Sequence, residues 1–585
     1  MSDIADPILL EVINNALTAI GDEMGNTMKR TARSITARAG DFSTVLVDAR
    51  GRVISQGQGA GFHLGYIRGV MPALLEKFAG KLRPGDILAS NDPYGGLSHL
   101  PDIVLLAPIF WRDTMVGFST LVTHHSDIGG RFPGGQSAIC AEIYEEGLRL
   151  PCVKIYDEGN PNQAVFEIIA GNVRTPDDVL GDIEGQAAAC RRGIRGVQEL
   201  VDKYGLERFE ACVAQLHRFS ERVVRAAIAK IPDGEYAYED HFEEDGIGGR
   251  GVDLKLCVKV RGDSIVVDFS GTGPQVKSAI NVPYSLTCSA SYVCFRGVLA
   301  ADAPANDGLL EPIRVIAPKG CVLNPRFPGA IGGRGMMLWR ICDMIFGALA
   351  KALPERIFAA GEGGVSSFTY AYSDAEQGAS PVLTDWYSSG WGARPTMDGI
   401  DGVNSMLSGN GGATVPVERL EGEFPILIEA HALMPDTGGA GKYRGALSLY
   451  RTYRFLKEGR ALIRTCRATT IPYGLAGGGD GTPFRAVLER GGERIECPPQ
   501  MMMDALVERE DSIMHLLPGA GGYGDALERD PLSVLDDVLD EKISLAYAER
   551  VYGVAIDMSA AAVDSERTRR LRDAIRQGRA AAVGK

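Results

Sequence analysis

A mixed α+β chain, with helical segments flanking β-rich lobes, is the fold class the sequence predicts. Two periodicities support it: apolar residues recur at helical spacing near the start and between about residues 186 and 231, and β-branched runs alternate with polar residues through much of the remainder. The third observation is size. At 585 residues the chain is roughly three to four times a typical domain, and its composition, 45% hydrophobic and 23% charged, is ordinary for a globular protein.

Asp6-Pro7 reads as a helix start, an N-cap residue followed by proline at the first helical position. Leu9, Leu10, Ile13, Leu17, Ile20, Met24 and Met28 follow at helical spacing and are read as core. Next, residues 42–55 hold two strand-like runs about an Asp48-Ala-Arg-Gly turn, with Asp41 at the mouth of the first. Asp86–Ser90 and Ile103–Ala107 are strand-like runs either side of a Gly- and Pro-punctuated loop, and Val116–Thr123 is a β-branched strand. From about 186 to 231 two or more amphipathic helices are expected, interrupted by Gly193, Gly196 and Gly205. Strands follow at Val252–Val260 and Ser264–Phe269, a helix at Leu338–Leu353, strands at Phe424–Glu429 and Leu447–Phe455, and helix again from Pro531. The expected organisation is a 1–185 α/β lobe, a 186–232 helical connector, a 233–525 β-rich lobe with inserted helices and a 526–585 helical segment.

A net charge of −14 repels phosphate backbones and argues against nucleic acid or an anionic membrane as the main partner, leaving small molecules and proteins. No run approaches the roughly 18 apolar residues of a membrane span. The first residues lack the basic stretch and apolar core of a secretory signal, so a cytoplasmic location is expected. Eleven dispersed cysteines without a Cys-x-x-Cys pair read as reduced thiols. Gly246–Gly251 and Gly519–Gly524 match Gly-x-Gly-x-x-Gly, but neither opens a helix after a strand, and Gly441-Lys442 lacks the rest of a phosphate loop. Any ATP chemistry therefore belongs to another chain.

Two short clusters hold the candidate chemistry: His99-Leu-Pro-Asp102 in the loop, and His124-His125-Ser-Asp127 after the strand. A lone histidine beside a strand is usually a satisfied core or surface residue. Imidazole nitrogen mixed with carboxylate oxygen, however, is the donor set of a borderline divalent cation. Because strand side chains alternate between faces, His124 and His125 cannot both ligate one ion without a bulge. One is expected to ligate while the other holds a neighbour or faces a second wall.

The ordered blocks Gly40-Asp41-Phe-Ser, Asn91-Asp-Pro-Tyr-Gly-Gly, Gly96-Leu-Ser-His-Leu-Pro-Asp102, His124-His-Ser-Asp-Ile-Gly-Gly130 and Glu142-Ile-Tyr-Glu-Glu-Gly-Leu-Arg-Leu-Pro151 resemble the hydantoinase B/oxoprolinase superfamily. So do Asp268-Phe-Ser-Gly-Thr, Pro304-Ala-Asn-Asp-Gly308, Leu323-Asn-Pro-Arg326, Pro435–Gly445 and Pro518–Asp525, so the likeness spans almost the whole chain. The resemblance implies a large multi-lobed hydantoinase B-type fold in a cytoplasmic hetero-oligomer. A hydantoinase A-type, ATP-binding partner phosphorylates a cyclic amide, and metal-bound water on the B component attacks the activated carbon. Carried over by position, Asp41, His99, Asp102 and His124 are metal ligands for Zn, Mn or Fe. His125 and Asp127 take the proton or orient a ligand, and His63 in Gly61-Phe-His-Leu-Gly65 lines the cleft or makes a structural hydrogen bond. Arg334 contacts phosphate or forms a loop salt bridge. Two departures weaken transfer of substrate identity: Gly95-Gly96-Leu97-Ser98-His99 where the family shows Gly-Gly-Thr-His, and Arg131-Phe-Pro-Gly-Gly-Gln. The alternative within the resemblance is a component of an acetone- or acetophenone-type carboxylase. Outside it stand a non-haem iron oxygenase and a non-catalytic scaffold.

Overall fold

The computed structural model describes residues 6–583 apart from 60, 246, 365, 375–379, 404–413 and 498–501, so Gly246 of the first glycine motif lies outside the described residues. Helix α1 (Pro7–Thr31) begins where the Asp6 carboxylate accepts the Ile8 N–H at 3.0 Å, and Ile13, Leu17, Ile20, Met24 and Met28 form its buried stripe. That stripe faces a seven-stranded antiparallel sheet built from β1 (Phe42–Asp48), β2 (Val53–Gly59), β3 (Ile87–Ser90), β4 (Asp102–Trp111), β5 (Thr114–His124), β6 (Val153–Asp157) and β7 (Asn160–Pro161). Their spatial order is β2-β1-β5-β4-β3-β6-β7.

Alternation along the central strands divides the core between two faces. Ile103, Leu105 and Leu121 join α1 and two long helices, α2 (Pro176–Tyr204) and α3 (Leu206–Ile228), in one apolar cluster. Val104, Leu106, Phe118 and Val122 point the other way, into a larger cluster. The helices at 176–228 are thus a layer on the sheet, and the first begins at Pro176 rather than near 186. Of the three glycines expected to interrupt them, only Gly205, at φ 82°, separates helices. Gly193 stays inside α2, where a Cβ would meet Ser119 Oγ at 2.2 Å and Met24 Sδ at 2.5 Å. Close packing against strand and helix, not chain breaking, requires that glycine.

The larger cluster is continuous across the boundary expected at 233. It includes the four-stranded sheet β11-β10-β9-β8, made of β8 (Gly234–Phe242), β9 (Val252–Arg261), β10 (Ser264–Asp268) and β11 (Ile313–Ile316). Helices α4 (Tyr284–Leu299) and α5 (Gly335–Leu349) complete it, and every residue of α5 is buried. Beyond them a pair of sheets shares its own core, where Phe368 on β12 (Ser367–Ala371) stacks on Tyr453 with ring centroids 3.8 Å apart. β13 (Val382–Trp386) pairs with β12 in the first of these sheets. The expected helical end contains helices Pro531–Leu539 and Ser565–Val583, with a short hairpin pairing Ile556–Asp557 and Ala562–Val563 between them. No helix among the described residues is long and apolar enough to cross a membrane.

Candidate metal centre

Three neighbouring interior strands, β1, β5 and β4, bring their chemistry to one end of the seven-stranded sheet. In the β4–β5 register Asp102 lies opposite His124, so both side chains share the face of Val104 and Val122. His99 arrives from the preceding loop through a tight turn in which the Asp102 N–H donates to the His99 carbonyl at 3.1 Å. β1 pairs Phe42 with Thr123, and the His124 N–H donates to the Asp41 carbonyl at 3.0 Å.

His99 Nε2 and His124 Nδ1 lie 2.7 and 3.1 Å from the same Asp102 oxygen and 3.1 Å from each other. The two rings stack with centroids 4.9 Å apart, and all three residues are buried. Ligands of a four-coordinate cation with bonds of about 2.0–2.1 Å stand about 3.4 Å apart, so a slight spreading of this triad accommodates a divalent ion. The donor chemistry fits Zn, Mn or Fe. Burial alone would raise the Asp102 carboxyl, but His99 and His124 outweigh it and hold the group well below the usual carboxylate range. Burial, then Arg334, drives His99 well below an ordinary imidazole, which leaves one ring nitrogen unprotonated and able to meet a cation.

Two guanidinium groups border the triad. Arg334 Nη2 is 3.8 Å from Asp102 Oδ2, and its Nε donates to Ser98 Oγ at 3.1 Å. It stands immediately before α5, on a loop pinned by Glu146, whose Oε1 accepts the Ile331 and Gly332 N–H groups at 2.6 Å each. Arg464 reaches in from the C-terminal sheets, stacks on Trp386 at 4.9 Å and donates to Gln136 Oε1. Burial and Arg334 push Arg464 down to about 9, which leaves it charged near neutrality. The Gln136 amide nitrogen lies 2.9 Å from His124 Nε2, and the Trp386 ring meets His124 edge-on at 5.6 Å. As placed, the Gln136 amide donates to His124 Nε2; a cation held by His124 Nδ1 would put the ring proton on Nε2, so the Gln136 amide would have to turn and give up the bond it accepts from Arg464.

The other expected site residues separate into distinct places. Asp41 adjoins His124 through its backbone, but its carboxylate lies outside the three donors that fall within 4.8 Å of one another. Burial, helped by the nearby Asp102 charge, raises its carboxyl above the usual range against the pull of His124, Arg334 and Arg464. His125 turns to the helical face, where its Nε2 is 3.2 Å from Gln186 Oε1. Because Gln186 Nε2 donates to the Ile103 and Leu121 carbonyls, its oxygen must accept from His125, which fixes a neutral Nε2–H tautomer. Asp127 uses both oxygens: Gly134 N and Arg174 Nη1 bind one at 3.1 and 3.0 Å, and Gly129 N and Arg174 N bind the other at 2.9 and 2.7 Å. It knots the loop after β5 and has no free oxygen for proton transfer. His63 is buried at the start of a helix (His63–Lys77), with Nδ1 2.7 Å from Ser43 Oγ. Burial pushes it down to about 4, with Asp102 and His124 as its electrostatic neighbours.

Gln136, Trp386, Arg464 and Glu146 carry no signal in the sequence that marks them as site residues. Gln136 ends the Phe132-Pro-Gly-Gly-Gln segment, which departs from the family pattern, and Glu146 lies in a block whose likeness assigns it no role. Trp386 and Arg464 end strands hundreds of residues away.

Comparison with known proteins places this chain in a family. A protein of Pseudomonas sp. (strain NS671), provisionally named as the B component of a D-/L-hydantoinase, is 32% identical over 97% of this chain and 98% of its own length. The crystal structure of an ATP-dependent caprolactamase from Pseudomonas jessenii superposes with a TM-score of 0.90 at 30% identity, over 98% of this chain and 100% of that one. A nucleotide-free acetone carboxylase also gives 0.90, at 20% identity and over 98% and 84% of the two chains, and so shares the fold. The family model described as Hydantoinase B/oxoprolinase matches residues 6–526. The chain belongs to the hydantoinase B/oxoprolinase family.

Proposed function

We propose that this chain is the metal-dependent B component of an ATP-dependent cyclic amide hydrolase of hydantoinase, oxoprolinase or lactamase type, acting on a substrate phosphorylated by a hydantoinase A-type partner. The observation that supports it is the convergence, in a member of this family, of two imidazoles and a carboxylate with Arg334 and Arg464 beside them. Amides resist water because resonance must be lost. Phosphorylating the amide oxygen makes the carbon electrophilic and the oxygen a leaving group. His99, Asp102 and His124, with Asp41 adjacent, would hold the cation. Such a cation lowers the pKa of a water towards neutrality. Arg334 and Arg464 would grip the phosphate through forked donors and offset its charge as it departs. Gln136 and Trp386 hold His124 in its orientation, and Glu146 holds the loop that presents Arg334.

Metal analysis of the purified complex tests the centre. Wild type and His125→Ala should retain one divalent ion per chain, and His124→Ala should lose it. Equal metal in all three would remove the site. Assay with the cognate A-type partner tests the chemistry: ATP-dependent ring opening of hydantoin, oxoproline or a lactam supports hydrolysis, while bicarbonate-dependent turnover of a ketone would assign the carboxylase reading instead.

A further inference from the structure

On the far side of the loop that carries His99, a cleft of about 590 Å³ opens between the His63–Lys77 helix and the first turn of α4. Its volume is that of a small-molecule site. The charged groups lining it are Arg68 and Lys319, and no carboxylate is among its described lining residues, in a chain of net charge −14. Arg68 Nη2 has a loose contact with the exposed Glu311 at 3.6 Å, its guanidinium lies over the Tyr292 ring at 5.9 Å and attracts the buried Asp307 carboxylate, and its Nη1 is buried with no hydrogen-bond partner among the described residues. Lys319 makes a 3.4 Å contact with Asn324 Oδ1 and lies over the Tyr94 ring at 5.9 Å, with no ion pair among the described residues. Tyr94, Tyr284 and Tyr292 supply aromatic walls. The N-terminus of the 16-residue helix α4 faces the same space through Tyr284 and Ser285, adding its partial positive charge.

We propose that this cleft binds a phosphate group, free or as the ester of a small organic molecule, at a site separate from the His99, Asp102 and His124 centre. A dianion matches one guanidinium, one ammonium and a helix N-terminus, and an organic remainder would rest on the tyrosine rings. Gly95 and Gly96 form one wall, and Ser285 Oγ donates to the Leu97 carbonyl at 2.6 Å. An occupant therefore leans on the segment that leads into His99. The chemistry of the cleft is independent of the amide-hydrolase reading.

Calorimetric titration of the full chain, at constant ionic strength and with chelator present, tests it with inorganic phosphate and phenyl phosphate as probes. Arg68→Gln and Lys319→Gln lie on partly exposed side chains and should each weaken binding by about tenfold or more, while Arg509→Gln, at an exposed arginine outside both sites, leaves it unchanged. Tighter binding of phenyl phosphate assigns an ester, and equal binding assigns the free anion. Absence of binding of both probes, or binding lost in Arg464→Met but kept in Arg68→Gln and Lys319→Gln, overturns the proposal. Circular dichroism melts of each variant separate lost binding from lost fold.

Discussion

Replacing Glu146 with glutamine should change how stability depends on pH without disturbing the fold. Glu146 is 2% exposed, and burial pushes its carboxyl up to about 8 against the pull of the Gly332 and Ile331 N–H groups. An unfolded glutamate titrates near 4.3–4.5. Folding therefore takes up a proton between those values, so the contribution is fully present below about 4.5 and is lost as pH rises through about 8. At about 1.36 kcal/mol per pKa unit the whole effect is about 5 kcal/mol, of which about 3 kcal/mol falls between pH 6 and 9. With unfolding entropy of about 2.1 cal/mol/K per residue over this chain, that is a shift of about 2 °C in melting temperature. Glu146→Gln keeps an acceptor for both N–H groups and resembles the protonated acid. Thermal midpoints across pH 6 to 9 should show wild type falling by about that amount relative to the variant, which gains above pH 8. Parallel curves would refute the buried, proton-holding glutamate. Glu146→Ala, by contrast, leaves two buried donors unpaired at about 1–3 kcal/mol each and should destabilise at every pH.

Asp127→Asn should cost about 3–5 kcal/mol in denaturant unfolding, because it strips the charge partner from Arg174 and replaces an acceptor with a donor inside the loop knot. Chelator should lower the melting temperature of wild type but not of His124→Ala, since an ion held at a concentration about 1,000 times its Kd stabilises by about 4 kcal/mol. Adding Zn²⁺ to chelator-treated protein should alter tryptophan emission, and Trp386→Phe should remove most of that change because Trp386 lies 5.6 Å from His124. Gly193→Val should be strongly destabilising, since even a Cβ there falls 2.2 Å from Ser119 Oγ.

The candidate centre was legible wherever its geometry is local. Alternation along one strand separates His124 from His125, and the structure turns them to opposite faces, towards Asp102 and towards Gln186. The α1 stripe and the hairpin of β1 and β2 likewise follow from spacing and turn residues. Asp127 is deceptive for a physical reason: a carboxylate near two histidines looks chemical in one dimension, but loop closure brings four donors onto it. The glycines of α2 mislead because a propensity scale does not see what packs against them, Ser119 and Met24 at Gly193 and Ile20 at Gly196.

What lay in the sequence by itself was the composition of the site, two imidazoles and a carboxylate within one hairpin, together with the periods that make helices and strands. Folding alone decided its electrostatic frame. Arg464 meets Gln136 across 328 residues, Glu146 holds the Ile331 and Gly332 backbone across 185 and 186, and the cleft at Arg68 and Lys319 is assembled from segments far apart in the chain. Periodicity reports which face of an element is apolar, but a contact between distant elements depends on how those faces pack, and no local pattern encodes that.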